Sequence, residues 1–477
     1  WVNIRVAPFS ASGENPADHV CIVTDITERK KMEAALKYNS EHVQLTGLYN
    51  RSVLERFLKS DALVSGNVKR GLVYINLSAM YLLSLRYGFH FTETLLKKIS
   101  DSLKAFCNDN YTLFNTYEDR FVFYVKGYKD KRELVAFCET IVETLNSYLY
   151  IHGITAGIGV IEIDEAQIKD TDELLRLLLI TSEMATNNNA GDNNILFYGP
   201  EIKAQATREN VISHELTEIA EGIKTERLYL QFQPVLNLSS NQICGFEALA
   251  RLKSEKYGIV PPLEFITVAE KINLIVPLGE RIILQALGFL RKLNENGHEK
   301  IAIFINISLI QLLSAGFAEK FIGRINEMGL NPENIGIELT ESVFSVEIEE
   351  INRIINLLKS AGIKILIDDF GTGYSSFARG SELNIDSIKI DKSFIDKLLS
   401  VRSEETITGD IISIAHKLGQ CVVAEGVEQE KQLDYLRDYC CDWIQGNLIS
   451  TPLDEEAALA FINRHMSIYQ DSAGYRN

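Results

Sequence analysis

The sequence predicts an α/β protein that ends in an eight-stranded (β/α) barrel with one reversed strand. Three observations carry this. From Leu228 onward come eight apolar runs of strand length: YLQFQPV, FEALARL, IAIFINIS, IGIELTE, KILIDDF, IKIDKS, VVAEGVE and WIQGNLI. The first two are separated by only a few polar residues, Ser239–Asn241, whereas later connections are long enough to hold a helix. A parallel crossover needs roughly a dozen residues, so the first pair must be antiparallel. Finally, polar residues recur at the ends of the runs: Glu247, Asn306, Glu338, Asp368, Asp369, Lys389, Glu425 and Gln445. A parallel barrel gathers its strand C-terminal ends on one face, where active sites lie. So many carboxylates repel one another unless cations join them, and hard divalent ions bound through oxygen resolve that conflict.

Bulk composition narrows the function. The 477 residues suffice for two or three domains, and 46% apolar with 24% charged residues is ordinary for a globular protein. A net charge of −17 argues against a nonspecific grip on DNA or anionic lipid. No apolar stretch reaches the roughly 18 residues of a membrane span; LLRLLLI is short and interrupted by Arg176. Seven cysteines without metal-type spacing suggest neither a disulfide scaffold nor zinc, and Cys440–Cys441 reads as strand packing. The reduced cytoplasm is therefore the expected compartment. No signal peptide opens the chain, and Trp1 is not an initiator. The expectation is a fragment whose upstream sensor or membrane region is missing.

Residues 1–27 hold two strand-like runs, WVNIRVAPF and HVCIVTDIT, around the loop SASGENPAD. A helical, charged segment follows over residues 28–44, with Thr27 placed to cap it. Two strands and a helix cannot bury a core alone. The ending DITERKKMEAAL resembles the C-terminal edge of PAS sensor domains and the signalling helix after them.

Residues 45–200 alternate helices (RSVLERFLK, ETLLKKISDSLKAF, ELLRLLLITSEMA) with strands (RGLVYINLS, GITAGIGVIEI, NILFYG) and the hairpin YTLFNTYEDRFVFYV. This order predicts a helix-covered sheet. With LTGLYNR and the closing ILFYG, the region resembles a GGDEF domain, the diguanylate cyclase family. At the positions of that motif stand Tyr117, Glu118, Asp119, Arg120 and Phe121. The family's phosphate-accommodating glycines are thus Tyr117 and Glu118, its metal-binding Glu is Arg120, and its other metal Asp is Asn76. The guanine-contacting positions are Ser84 and Glu93, and Asn108 and Tyr111 replace an RxxD inhibitory motif. The resemblance implies a regulatory descendant without cyclase activity, with GTP binding as a minor alternative. Residues 201–227 read as a connector helix.

The barrel region, residues 228–466 with a tail at 467–477, carries EALAR from Glu247, FINIS around Asn306, ELTES from Glu338, DDFGTGYSS from Asp368, KIDKSF from Lys389, AEGVE and Gln445-Gly446. Seven motifs in this order at βα-unit spacing are similar to the EAL family of cyclic di-GMP phosphodiesterases. The resemblance implies metal-dependent hydrolysis of cyclic di-GMP to linear pGpG. It implies that Glu247, Asn306, Glu338 and Asp368 ligate one Mg²⁺ or Mn²⁺, and that Asp369 chiefly holds a second that Asp368 shares. Glu425 joins the inner shell, directly or through a metal-bound water, and Lys389 partners the nucleophilic water or the developing phosphorane charge, with a pKa that burial beside metals should depress. Gln233 and Gln445 become substrate-positioning amides, and Arg251 a phosphate contact. Glu341 anchors the FGTGYSS loop, where Gly371 and Gly373 supply freedom, and which couples a homodimer to metal binding. Glu428 is either a helix cap or functional, and His416 is packing or surface. Departures stand at Asn447, where a Tyr is usual, and at Arg379 and Gly380. They keep an alternative alive: a cyclic di-GMP receptor that signals through a protein partner without cleaving its ligand.

Overall fold

The structure, a computed structural model, describes residues 1–9, 18–61, 68–77, 80–117, 119–149, 156–163, 170–187, 194–345, 348–371, 382–399 and 406–473. The chain divides into two compact units, Trp1–Arg208 and Glu209–Asn477.

The first unit opens with a hairpin, β1 (Val2–Phe9) and β2 (Asp18–Asp25), paired antiparallel from Val2↔Asp25. Its apolar side chains Val2, Ile4, Val6, Ile22 and Val23 are exposed, and the helix Thr27–Glu41 buries none of its residues. The expected cap shifts by one residue: Ile26 is the N-cap, and Thr27 starts the helix. The Thr27 N–H donates to Asp25 Oδ1 at 2.8 Å, so an Asp turn, not a Thr27 hydroxyl cap, leads into the helix.

A five-stranded sheet follows in the order β4 (Tyr111–Tyr117), β5 (Arg120–Lys126), β3 (Arg70–Asn76), β6 (Gly157–Glu162), β7 (Ile195–Phe197). Only the β6–β7 pair is parallel. The central strand β3 is buried throughout, which is why RGLVYIN reads as a continuous apolar run. Strand parity splits the core. Val73, Ile75, Phe121 and Phe123 meet the helices Phe89–Lys104 and Lys131–Leu149, and Leu72, Tyr74, Val122 and Tyr124 meet Arg51–Asp61 and Thr171–Asn187. The last helix lies so close to β6 that a Cβ on Gly159 would fall 2.7 Å from the Ser182 backbone nitrogen. Only glycine fits that approach.

The helix Pro200–Ala220 carries the division between the units. Eight strands then close a barrel: β8 (Leu228–Asn237), β9 (Gln242–Ser254), β11 (Ala302–Asn306), β12 (Ile335–Thr340), β13 (Lys364–Phe370), β14 (Ser387–Ile390), β15 (Cys421–Ala424) and β16 (Trp443–Gln445). A short β10 (Gly258–Val260) extends β9 as a hairpin. The strand β8 is antiparallel to both its neighbours, β9 and β16, and every other barrel pairing is parallel. Outward residues such as Ile303, Ile337, Ile365, Ile388 and Val422 pack under the surrounding helices. Inside, Val235, Ala302, Phe304, Leu366 and Val423 form an apolar plug. Gly245 and Gly336 make room for it, because a Cβ on either would sit 2.6 or 2.4 Å from the Phe304 ring. Two residues further along β9 and β12, the same inward parity brings Glu247 and Glu338 above the plug. The final helix runs Glu455–Ala473, so a tail beginning at 467 falls inside it. Among the described residues no helix is long and apolar enough to cross a membrane.

Candidate metal centre and active site at the barrel mouth

The floor of the mouth is built around Lys389, on β14 and only 1% exposed. Its ammonium lies 2.8 Å from Glu338, 2.5 Å from Glu425, and 3.2 Å from both Glu247 and Asp368. Four strands thus deliver one carboxylate each to a single buried cation. Glu247 corrects one reading: it sits in the middle of β9, because that strand runs past the mouth into its hairpin with β10.

Amides finish the floor. Asn306 Nδ2 donates to Glu247 Oε1 at 2.7 Å, and Gln445 Nε2 donates to Glu247 Oε2 at 2.6 Å. Gln445 also donates to Gln233 Oε1 at 2.9 Å, and Gln233 donates to the Ser450 carbonyl at 3.1 Å. Gln233 reaches the site although β8 is reversed, since it pairs directly with Glu247.

At Asp369 the backbone turns left-handed, with φ of 52°, and the β13–β14 register breaks between Ile367 and Phe370. Such an irregularity re-aims side chains. Here it lets adjacent Asp368 and Asp369 serve one site. Carboxylate oxygens of Glu247, Glu338 and Asp368 lie within 4.8 Å of one another, as do those of Asp368, Asp369 and Glu425. The two groups share Asp368.

The electrostatics follow from burial and crowding. Burial, then the neighbouring Glu247, lifts the Glu338 carboxyl well above the usual range, against the pull of Lys389. Burial also raises Glu425 well above it, again opposed by Lys389 and reinforced by Asp368. Asp369 is pushed up to about 6, by burial and then by Asp368 and Asp391. Glu247 ends below its ordinary value: burial raises it, but Lys389 and hydrogen bonds from Gln445 and Asn306 outweigh that. The depression expected of Lys389 belongs to a site with metals bound; the protein's own groups act in the other direction. Burial does push the ammonium down, but Asp368, Glu247, Glu338 and Glu425 together carry it well above its ordinary value. The protein's own groups keep this lysine charged.

Above the floor opens a cavity of about 440 Å³, whose lining includes Gln233, Glu247, Arg251, Asp368, Glu425 and Gln445. The half-buried Arg251 is held by donating to Gln231 Oε1 at 2.7 Å and to the Ala250 carbonyl at 3.0 Å. Glu341 Oε1 accepts the Gly371 N–H at 2.5 Å, and Gly371 adopts φ of 103°. Gly373, Arg379 and Gly380 lie outside the described residues, as does Glu118. Asn447 donates to Glu428 Oε1 at 3.3 Å, and Lys392 pairs with the same oxygen at 2.5 Å. Lys392 was legible within KIDKSF, but nothing in the sequence shows that it reaches the mouth. His416 pairs with Asp442 at 2.8 Å, away from the carboxylate group.

In the first unit Asn76 lies opposite Arg120 across β3 and β5. Arg120 approaches Asp119 at 3.6 Å and Glu183 at 3.9 Å, and stacks over Tyr117 with 5.6 Å to the ring centroid.

A closed barrel with one reversed strand, whose mouth gathers carboxylates in two groups sharing one aspartate, defines a class of α/β barrel with a candidate two-metal centre. The chain belongs to the EAL family: the EAL domain model matches residues 216–452, and that of the diguanylate cyclase GGDEF domain matches residues 40–193. A curated relative, the bifunctional diguanylate cyclase/cyclic di-GMP phosphodiesterase MucR of Pseudomonas aeruginosa, is 27% identical over 88% of this chain and 61% of its own length. The chain spans 57% and 63% of two further curated relatives, both uncharacterized. The EAL enzyme Bd1971, solved with cAMP and cyclic-di-GMP bound, is 28% identical with a TM-score of 0.52, covering 65% of this chain and 81% of that one. The S helix-GGDEF-EAL structure of Vibrio cholerae LapD, bound to c-di-GMP, covers 89% of this chain and all of its own, with a TM-score of 0.61 at 17% identity. At that identity the likeness speaks for the fold alone.

Proposed function

We propose that the barrel hydrolyses cyclic di-GMP to linear pGpG with Mg²⁺ or Mn²⁺ at the mouth. The observation that carries this is the pair of carboxylate groups sharing Asp368 on the floor of an open cavity. All-oxygen donors suit hard divalent ions, so the residues fit the group. Glu247, Asn306, Glu338 and Asp368 would hold one ion, and Asp368, Asp369 and Glu425 the other. Such a pair supplies phosphate charge neutralisation and an acidified water.

The chain's own residues do the rest. Asn306 and Gln445 fix the Glu247 carboxylate by donating to one oxygen each. Lys389, charged and buried, lies where negative charge grows on the phosphorus oxygens. Glu425, on the floor beside Lys389 and Asp368, is suited in its ionised form to take the proton of the attacking water. Water adds to phosphorus and the P–O3′ bond breaks. The freed 3′ oxygen gains a proton, and the phosphate stays on the 5′ oxygen. Arg251 and the Gln233–Gln445 pair orient the ring. The names of MucR and the bound ligand of Bd1971 support cyclic di-GMP as the substrate.

We infer that residues 45–200 regulate rather than synthesise, because Arg120, Asn76 and Tyr117 replace cyclase groups. The PAS-like residues 1–27, the helix 28–44 and the connector 201–227 would relay an input through a cytoplasmic homodimer to the loop that Glu341 anchors. The test incubates the purified chain with cyclic di-GMP and Mn²⁺, then with GTP. Linear pGpG from the first and no cyclic di-GMP from the second are expected. Bound but intact cyclic di-GMP would overturn the hydrolytic reading.

A further inference from the structure

We infer that Lys392 is a substrate-binding residue, which captures the phosphate of cyclic di-GMP that is not being cleaved. The inference rests on the proposed function and adds a residue to which that function assigns no role. A cyclic dinucleotide brings two phosphodiester groups into one cavity. The cavity presents them with the carboxylates of Glu247, Asp368, Glu425 and Glu428, and among the described residues its lining cations are Arg251 and Lys392. One charged phosphate belongs at the floor. The other needs a cation that is free to move toward it.

Arg251 is fixed by Gln231 and the Ala250 carbonyl. Lys392 is different. It opens the helix Lys392–Lys397, three residues beyond Lys389. Its stem lies directly against Gly426, where a Cβ would meet its Cγ at 2.4 Å and its Cβ and Cδ at 2.7 Å. The glycine after Glu425 therefore leaves the lane that leads the lysine to the mouth. The ammonium rests on Glu428 at 2.5 Å and approaches Asp396 at 3.7 Å. The Lys392 and Glu428 side chains are 45% and 43% exposed, and an ion pair so open to water exchanges its partner readily. Glu428 does not lose its only partner when the lysine leaves, because Asn447 also donates to it. Asn447 stays in place because Gly446 packs on the Val427 backbone: a Cβ there would fall 2.2 Å from the Val427 carbonyl oxygen. Asn447 thus supplies a second holder for Glu428 while Lys392 moves to the substrate.

The test is steady-state hydrolysis of cyclic di-GMP by the whole chain carrying Lys392→Gln or Lys392→Arg, over a range of salt concentrations. Loss of one charge-assisted phosphate contact should raise KM about tenfold in Lys392→Gln, with kcat within about twofold and a shallower salt dependence of kcat/KM. Lys392→Arg should stay within about threefold of the parent KM. Unchanged KM in Lys392→Gln, or a fall confined to kcat, would overturn the assignment. A parent chain that cleaves nothing would instead refute the proposed function, so the two failures are distinct.

Discussion

Lys389→Met removes the one cation around which the floor is assembled while keeping an unbranched side chain one atom shorter. In the ion-free protein it leaves Glu247, Glu338, Asp368 and Glu425 facing one another where the ammonium had stood 2.5–3.2 Å from each. Glu247 and Glu338 are 5% and 2% exposed, so water cannot take over the screening. Removing one partner of a buried charge pair costs about 3–5 kcal/mol, and we expect that loss at pH 8 in EDTA. The sign of the pH dependence follows from the carboxyls. Glu338 and Glu425 already have folded pKa values above their ordinary ones, and losing Lys389, which lowers both, raises them further. A carboxyl raised on folding stabilises the protein below its unfolded pKa and loses that contribution as pH rises through the folded value. The variant should therefore approach the parent near pH 4–5 and fall away toward pH 8. The assay is urea unfolding of the barrel followed by Trp443 fluorescence, with Trp1→Phe as background so that one tryptophan remains. Millimolar Mn²⁺ should narrow the gap, because added cations share the role of the ammonium. Equal unfolding midpoints at pH 8 in EDTA would refute the reasoning.

Glu247→Ala, which also strands the amides of Asn306 and Gln445, should lower turnover at least about a hundredfold; unchanged turnover in the hydrolysis assay would remove Glu247 from the site. Asp369 has its carboxyl raised to about 6, so Mn²⁺ affinity measured by calorimetry should weaken as pH falls from 7 to 5, and a flat profile would contradict its part in the centre. Gly446→Ala places a Cβ 2.2 Å from the Val427 carbonyl oxygen, backbone that cannot rotate away, and should destabilise the barrel by roughly 1–3 kcal/mol in the same urea assay.

The barrel was legible because its strands announce themselves twice, as apolar runs and as runs ending in polar residues. The reversed strand was legible from a single short connection, Ser239–Asn241, which no parallel crossover can use. Strand parity explains why the polar residues meet: Glu247 and Glu338 stand two positions beyond Gly245 and Gly336, and those glycines flank Phe304. Other features depend on closure of the barrel and could not be read along the chain. The charge state of Lys389 is one, since no local pattern shows that four carboxylates from four strands will surround it. Lys392 is another, because its place at the rim depends on the absent side chain of Gly426. The cap at Ile26 was missed for a local reason: Asp25 accepts the Thr27 N–H in a turn just before the helix, which therefore begins at Thr27 itself.

Electron paramagnetic resonance of the chain titrated with Mn²⁺ tests the shared-aspartate site most directly. Two equivalents should bind and give the exchange-coupled spectrum of ions a few ångströms apart, and Asp368→Ala should abolish the coupling. Two uncoupled six-line spectra, or coupling that survives loss of Asp368, would contradict a centre built on that residue.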